Sequence, residues 1–291
     1  LTNFPQGFAN GVSIRGIPLT QAQPGQVFFL GNGPVLGPNA KAGSDGNRGT
    51  YLDPFATLDY AVNTGCSQGR GDIVFVLPGH AETISSATVA TLRTAGVAVI
   101  GLGGGSMRPT FTFTTATTAN IPLSAANVSI QNCLFIANFA DIASVFTASG
   151  ASVTASIATT TMTVTVVGSG TLYPGASVMG TGIAAGTIIL NQLTGTTGGV
   201  GTYTVNISQT FASGTITTGS HNFAIDRCEF RDSSSILNFL TPFTSSAIAN
   251  GSNGLQVTNS AMYGLGTTAA TAFLTLAENL DRLIVQNNYV A

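Results

Sequence analysis

A short pattern recurs along the chain, and its copies align with one another without gaps. This pattern constrains the fold more than any other feature of the sequence. Each copy alternates apolar and outward-facing residues, passes a turn pair and returns to apolar residues; the copies are residues 128–135, 223–230, 255–262 and 283–290, with an earlier relative at 97–101. The starts at 97 and 128 lie 31 residues apart, those at 223 and 255 lie 32 apart, and those at 255 and 283 lie 28 apart. A strand-turn unit with this period is typical of stacked parallel coils, in which each unit buries its inward residues against its neighbours.

One interval is too long for this period, because the starts at 128 and 223 are 95 residues apart. Residues 142–225 contain no Asp, Glu, Lys or Arg. Within that span, stretches rich in β-branched residues alternate with Gly-rich turns; they are 161–167, 187–190 and 202–207. This pattern predicts a small all-β module, a compact barrel or sandwich, inserted at 150–219 on a loop.

The first 45 residues are rich in Gly and Pro, and breakers this dense exclude a long helix. A floppy leader is one interpretation of this segment. An extended arm that docks on a neighbouring protein is the interpretation we favour, because a disordered leader rarely carries so many large apolar residues. The candidate docking residues are Phe4, Phe8, Phe28, Phe29 and Leu30.

A short amphipathic helix is predicted after this arm. Asp53 is the expected N-cap and Pro54 the expected first helical residue. One face of the helix is apolar and is expected to cap a core; it carries Phe55, Leu58, Ala61 and Val62. Residues 71–80 follow as a strand that ends in a Pro-Gly turn.

Together these features predict an all-β protein, a right-handed parallel β-helix with an inserted β module and an extended N-terminal arm. The expected divisions are 1–45 for the arm, 46–149 for the capped β-helix, 150–219 for the module and 220–291 for the continued β-helix. The chain has 291 residues, so its length alone fits either one large β domain or two ordinary domains.

Charge is scarce, and this excludes several kinds of partner. Charged residues make up 7% of the chain and the net charge is −2, whereas an ordinary domain is about 25% charged. A basic nucleic-acid groove and a polybasic membrane patch are therefore not expected. No apolar run approaches the roughly 18 residues of a spanning helix, and the opening residues 1–4 carry no signal-peptide pattern.

Two regions of the sequence resemble known families. The segments 54–58 and 71–79 look like the entry to right-handed parallel β-helices of the pectate-lyase-like class, in which a short helix caps the first coil. The module segments 178–187 and 201–205, with the short segment 3–7 of the arm, resemble parts of tailed-bacteriophage virion proteins. The resemblance implies a virion protein whose β-helix is trimeric, in a group that includes tailspikes and head decoration (cement) proteins.

The chain offers few groups for catalysis. Aligned repeats place Gln131, Asp226, Thr258 and Gln286 in one outward column, which holds one carboxylate, whereas glycoside cleavage needs two. Glu229 and Asp232 lie past the turn, and the arginines Arg227 and Arg231 lie among these acids, so local ion pairing is the simpler interpretation. No catalytic residue and no cofactor are predicted.

Other candidate groups are interpreted as structural. His80 and Glu82 are expected on a surface turn, because a metal site would need a third ligand. His221 is interpreted as a junction residue. Cys133 and Cys228 share a repeat position and are expected to be a buried pair of thiols. Residues 101–105 are interpreted as a turn, and the Asn residues at 132, 259 and 287 as an internal turn ladder.

Two functions follow as hypotheses. The first is a structural protein on the outer surface of a phage head, a homotrimer that stabilises the shell by contacting the major capsid protein. The second is a tail-borne receptor-binding spike that binds or cleaves host surface glycan. The missing carboxylate pair and the short chain, without an evident C-terminal trimerisation domain, favour the first.

Overall fold

A computed structural model describes most of the chain. It covers residues 25–34, 40–138, 144–148, 150–232, 254–264 and 282–290, together with the strand segments 12–14, 17–19, 241–245 and 274–275. Within this part of the chain, no helix is long and apolar enough to cross a membrane.

Strands dominate the described residues, as the sequence predicts. In chain order they are β1 (Val12–Ile14), β2 (Ile17–Leu19), β3 (Val27–Leu30), β4 (Ile73–Val76), β5 (Ala81–Ile84), β6 (Ala98–Gly101), β7 (Thr110–Phe113), β8 (Ile121–Leu123), β9 (Ser129–Gln131), β10 (Leu134–Ala137), β11 (Ser144–Ala148), β12 (Ala151–Gly170), β13 (Ser177–Met179), β14 (Ile189–Gly195), β15 (Gly201–Gly219), β16 (Ala224–Asp226), β17 (Glu229–Asp232), β18 (Thr241–Ser245), β19 (Leu255–Thr258), β20 (Ala261–Gly264), β21 (Leu274–Thr275), β22 (Leu283–Gln286) and β23 (Tyr289–Val290). The helical segments are the α-helix α1 (Leu58–Tyr60), the π-helix Ala61–Gly65 that continues it, and the 3-10 helix Gly105–Met107.

Three parallel sheets hold most of these strands. The first has seven strands in the order β22-β19-β16-β9-β6-β4-β3, the second has six in the order β23-β20-β17-β10-β7-β5, and the third has four in the order β21-β18-β11-β8. From β6 onward the chain visits the three sheets in a fixed order, for example from β9 to β10 to β11 and later from β16 to β17 to β18. The protein is therefore all-β, with parallel sheets formed by sequence-distant strands.

The strand register confirms the gapless alignment of the repeats. Ser129 pairs with Ala224, Ala224 with Gln256, and β19 and β22 continue the same register. β9 and β16 are neighbours although the inserted segment lies between them in sequence. The long interval therefore interrupts the chain without shifting the register of the sheet.

Side chains from the three sheets meet in one apolar core. Its centre includes an aromatic row in the six-stranded sheet, where the rings of Phe111 and Phe135 stack at 5.5 Å and those of Phe135 and Phe230 at 5.2 Å. Phe146, from the four-stranded sheet, packs edge-on against Phe135. Because each strand contributes only a few inward residues, its stability depends on the strands beside it.

Turn residues at one corner of the repeat adopt left-handed backbone conformations. Asn132, Arg227, Asn259 and Asn287 follow the strands of the seven-stranded sheet and have φ between 51° and 54°. The Asn132 Nδ2 atom donates to the carbonyls of Gly101 and Gly103 at 2.8 and 2.9 Å. Asn tolerates this conformation, and Asn132 confirms the predicted contact with backbone groups. The Nδ2 atoms of Asn259 and Asn287 instead donate to side chains, to Asp226 at 2.8 Å and to Asn259 at 3.4 Å, so the predicted backbone role is wrong for these two.

The predicted N-cap of the short helix is wrong. The helix begins at Leu58, and the cap is Thr57, whose Oγ1 accepts from the N–H of Tyr60 at 3.3 Å. Asp53 instead forms a β-bridge with Thr50 and an ion pair with Lys41 at 3.1 Å. All four residues of the predicted apolar face are buried. Leu58, Ala61 and Val62 lie in the helical segment, but Pro54 and Phe55 precede it, and Phe55 forms a parallel β-bridge with Leu30.

Residues 151–219 form a separate antiparallel sheet. β15 pairs with β12, β13 and β14, and β12 and β15 run as a long hairpin-like pair with two register shifts. The module has its own apolar cluster, which includes Met162, Tyr203 and Ile216. The described strands form no closed barrel, so the barrel alternative is wrong: four strands of very unequal length form an open sheet.

Candidate functional site

The structure gives the candidate docking residues different positions. β3 is the first strand of the seven-stranded sheet and pairs with β4 from Val27–Ile73 to Leu30–Val76. Leu30 is completely buried, and Phe28 and Phe29 are half-buried against the chain's own apolar clusters. Leu30 therefore has no surface to offer a partner, which corrects its predicted role, and the arm cannot extend to residue 45. Phe4 and Phe8 lie outside the described residues.

A buried carboxylate fixes this first strand. Asp72 accepts from the N–H groups of Gln26 at 2.7 Å and Ser67 at 2.8 Å, and from the Arg70 guanidinium at 2.6 and 2.7 Å. Burial raises the pKa of Asp72, but these donors outweigh it, and the pKa is held below its ordinary value. The sequence signal was a Gly-Arg-Gly-Asp turn before a strand, which was not interpreted as an anchor.

The acid and arginine cluster after the insertion is engaged in internal contacts, as predicted. The Arg227 Nε atom lies 2.7 Å from Asp226, and its Nη2 donates to the Gln131 side chain at 2.9 Å. Asp226 also accepts from Thr258 and Asn259 at 2.8 Å each. Burial raises the pKa of Asp226, but these hydrogen bonds and the guanidinium lower it further than burial raises it. The ionised carboxylate therefore crosslinks neighbouring strands.

Glu229 belongs to a different sheet from Asp226 and is also paired. Arg108 donates to it at 2.8 Å, and Arg231 forms a second ion pair with it. Arg108 is 121 residues away in sequence, so its contribution could not be identified without the register of β7 against β10 and β17. The side chain of Asp232 lies outside the described residues.

His80 and Glu82 are buried, so the predicted surface turn is wrong. The Asn32 N–H donates to His80 Nδ1 at 3.2 Å, which leaves Nε2 to donate to Glu82 Oε2 at 3.2 Å. The Leu58 N–H donates to the same Glu82 oxygen at 2.9 Å. Glu82 lies in register with Phe111 at the end of the aromatic row, so its carboxylate closes the core beneath the capping helix.

The cysteines are buried free thiols, as predicted for Cys133 and Cys228. Burial raises the pKa of Cys133 well above its ordinary value, and burial raises the pKa of Cys66 and of Cys228 to about 12. All three thiols therefore remain protonated and poorly nucleophilic near neutral pH. The buried His221 lies at the junction of the module and β16, and its carbonyl accepts from the Asn127 N–H at 2.6 Å.

The turn at 101–105 is built by close approach of backbone. A Cβ on Gly101 would lie 2.3 Å from the Asn132 carbonyl oxygen, so a side chain there would displace the next repeat. Gly103 has a φ of 116° and precedes the 3-10 helix. The segment is a turn between repeats, as predicted.

In the residues that the structure describes, no group of three His, Cys, Asp or Glu side chains is arranged to hold a metal ion. No family model, no curated protein and no solved structure matches the chain.

Proposed function

We propose that the protein is a structural virion protein, a trimeric right-handed parallel β-helix that decorates and stabilises the head of a tailed phage. The phage assignment rests on the sequence resemblance of the module and of the segment 3–7 to parts of virion proteins. The cyclic passage through three parallel sheets supports the β-helix, and right-handedness is favoured because about 98% of parallel crossovers have that hand.

The observation that supports a structural role is that buried and half-buried carboxylates form ion pairs within the protein. Asp72, Asp226 and Glu229 each pair with an arginine and brace separate strands. The outward columns of the repeat are otherwise neutral, with Gln131, Thr258 and Gln286 beside Asp226. Neutral polar surface costs less to desolvate than charged surface, which suits permanent multivalent contacts with a shell.

Copy number in purified particles tests this role. Quantitative mass spectrometry of virions should give a stoichiometry comparable to that of the major capsid protein. A copy number that matches the few tail appendages would contradict the head role and support a receptor-binding spike. Sedimentation equilibrium of the purified chain should give a trimer, and a monomer at all concentrations would contradict the trimeric assembly.

The structure also changes how the docking arm should be truncated. Deleting residues 1–45 would remove β3 and uncover β4, so loss of head binding could reflect unfolding. Deleting residues 1–24 retains β3 and the anchor at Gln26. We expect this shorter deletion to leave soluble trimers that no longer bind heads, with Phe4→Ser and Phe8→Ser as milder variants. Unchanged binding by all three variants would refute docking through the arm.

A further inference from the structure

A groove follows the junction between the module and the first repeats. It consists of two adjoining clefts of about 290 and 400 Å³, which share Arg93 and Tyr173 in their walls. The helix side contributes Asp59 and Asn63, and the module contributes Gln192. Each cleft is close to the lower end of the range for small-molecule sites, about 300 Å³, and together they can take a ligand of several rings.

The two charged groups of the groove, Asp59 and Arg93, form a long ion pair. Asp59 Oδ1 is saturated by the backbone N–H and hydroxyl of Thr91, at 3.0 and 2.7 Å, and by Asn63 Nδ2 at 2.9 Å. Its Oδ2 lies 3.6 Å from Arg93 Nη2, which is longer than a hydrogen bond. A hydroxyl that lies beside the pair can donate to the carboxylate and accept from the guanidinium.

The walls have the chemistry that binds polyols. Tyr173 is partly exposed and offers a ring face with a polar tip. Hydroxyl side chains surround it; they are Thr88, Thr91, Thr94, Ser124, Thr171 and Thr197. Asp59 and Arg93 are the charged residues among the lining residues, so the groove has no net charge. This balance disfavours phosphate or polyanion binding and favours a neutral ligand with many hydroxyls.

The amides in the walls are fixed before any ligand binds. Asn63 accepts from the Arg93 N–H at 3.0 Å, and Gln68 donates to the Arg93 carbonyl at 2.8 Å. On the module side, Gln192 holds the turn at Gly198, whose N–H donates to it at 2.9 Å. The two walls are therefore rigid, so ligand binding would require little ordering of the protein.

We propose that this junction groove, with Tyr173, Arg93 and Asp59 at its centre, is a binding site for a neutral oligosaccharide. The Tyr173 ring packs against the apolar face of a sugar ring, and Arg93 and Asp59 bind adjacent hydroxyls. The site depends on the contact between the module and the repeats, and it does not depend on the virion role.

Ligand-observed NMR and calorimetry on the purified full chain test this site. The probes are maltotriose, triacetylchitotriose, raffinose and lactose, with a hyaluronan tetrasaccharide as the anionic probe. At least one neutral probe should bind saturably. Tyr173→Leu and Arg93→Gln should each weaken that binding by about tenfold or more, equivalent to about 1.4 kcal/mol. The matched variants Tyr289→Leu and Arg48→Gln change exposed residues outside the groove walls and should bind as the parent does.

Three results would overturn the proposal: no saturable binding of any neutral probe, binding of hyaluronan alone, or parental affinity in both groove variants. Circular dichroism melts establish that the variants are folded, and Tyr173→Phe should retain most of the affinity because it keeps the ring. Because these experiments use no particles, their failure leaves the head role to be decided by copy number.

Discussion

At the residue scale, the left-handed turn position explains why Asn recurs after the repeat strands. Asn132 combines a φ of 53° with two side-chain hydrogen bonds to the preceding repeat. Asn132→Ala should lower the free energy of unfolding by about 2 kcal/mol. The Ala side chain cannot form these hydrogen bonds, and its Cβ is strained in the left-handed backbone conformation. Asn132→Gly should recover about 1 kcal/mol of that loss, since Gly removes the strain.

Urea unfolding followed by circular dichroism measures both variants. Asn191→Ala, at an exposed position on β14 with an ordinary backbone, is the control and should stay within about 0.5 kcal/mol of the parent. If Ala and Gly at position 132 proved equally stable, the left-handed conformation would not be the reason for the Asn.

Asp72 gives the protein an acid-sensitive anchor. Because its pKa is lower in the folded chain than in the unfolded chain, its contribution is present above the unfolded value, about 4, and is lost as pH falls through the folded value. Asp72→Asn should cost about 2 kcal/mol at neutral pH, since Arg70 and two N–H groups lose a charged acceptor. The difference between parent and variant should shrink below pH of about 4. Urea midpoints across pH measure this, and a constant difference would exclude linkage at this carboxylate.

At the element scale, Thr57 and Asp53 are the two candidate N-caps of the short helix, and substitution of each one tests which of them caps it. Thr57→Ala should destabilise by about 1 kcal/mol, because Thr57 caps Tyr60 and is itself held by Asp45, which accepts from its N–H and hydroxyl at 3.0 and 2.8 Å. Asp53→Ala should cost less, because its ion pair with the largely exposed Lys41 is worth little. Thermal melts compare the two variants. A larger loss for Asp53→Ala would reverse this assignment.

The position of a strand within its sheet determines how much an inward residue contributes to the free energy of unfolding. Val257 and Val285 occupy the same column, but Val257 is 0% exposed between two neighbouring strands and Val285 is 43% exposed on β22. Val257→Ala should therefore cost about 2 kcal/mol and Val285→Ala less than about 0.5 kcal/mol. Urea unfolding of the purified pair measures this. Comparable losses for both would indicate that another molecule or segment covers β22 in solution.

The register of the repeats could be predicted to the residue because inward and outward positions alternate with a fixed turn, and a one-residue slip would invert every side chain. A second turn column was equally visible and was missed: Gly96, Asn127, Asn222 and Gly254 immediately precede the repeats and have positive φ. The burial of Glu82 could not be predicted, since the Leu58 N–H that donates to its carboxylate lies 24 residues earlier in the chain and reaches it only once the sheets have formed. The start of the helix was missed for the same reason, because the deciding carboxylate of Asp45 lies outside the helix.

At the scale of the whole molecule, the uncharged outward columns fall into two parts, one that is buried within the chain and one that stays exposed. The outward columns of the seven-stranded sheet begin apolar, where Phe29, Phe75 and Ile100 are in register, and turn polar from Gln131 onward. Phe75 and Ile100 are buried in a second apolar cluster outside the main core. These outward apolar residues are thus already buried against other residues of the same chain. The neutral surface that stays exposed lies on the later repeats and on the module.

The module should be removable without loss of the parallel sheets. Ala151 and Thr218 are paired, and the Ala151 N–H donates to the Thr218 hydroxyl at 3.1 Å, so the two ends of the insertion lie side by side. Joining Gly150 to Ser220 therefore spans a gap close to the ~5 Å between paired strands. Ile188 packs in the main core and would be lost, which should cost about 2 kcal/mol.

We expect the chain lacking 151–219 to remain folded, with a β-type circular dichroism spectrum, a cooperative melt at lower temperature and no sugar binding, since Tyr173 is gone. A deletion of equal length at 129–197 removes β9, β10 and β11 from the middle of the three parallel sheets and should not fold, because the strands on either side would lose their partners. If the first deletion unfolded as completely as the second, the module would be an integral part of the repeat core rather than an insertion on it.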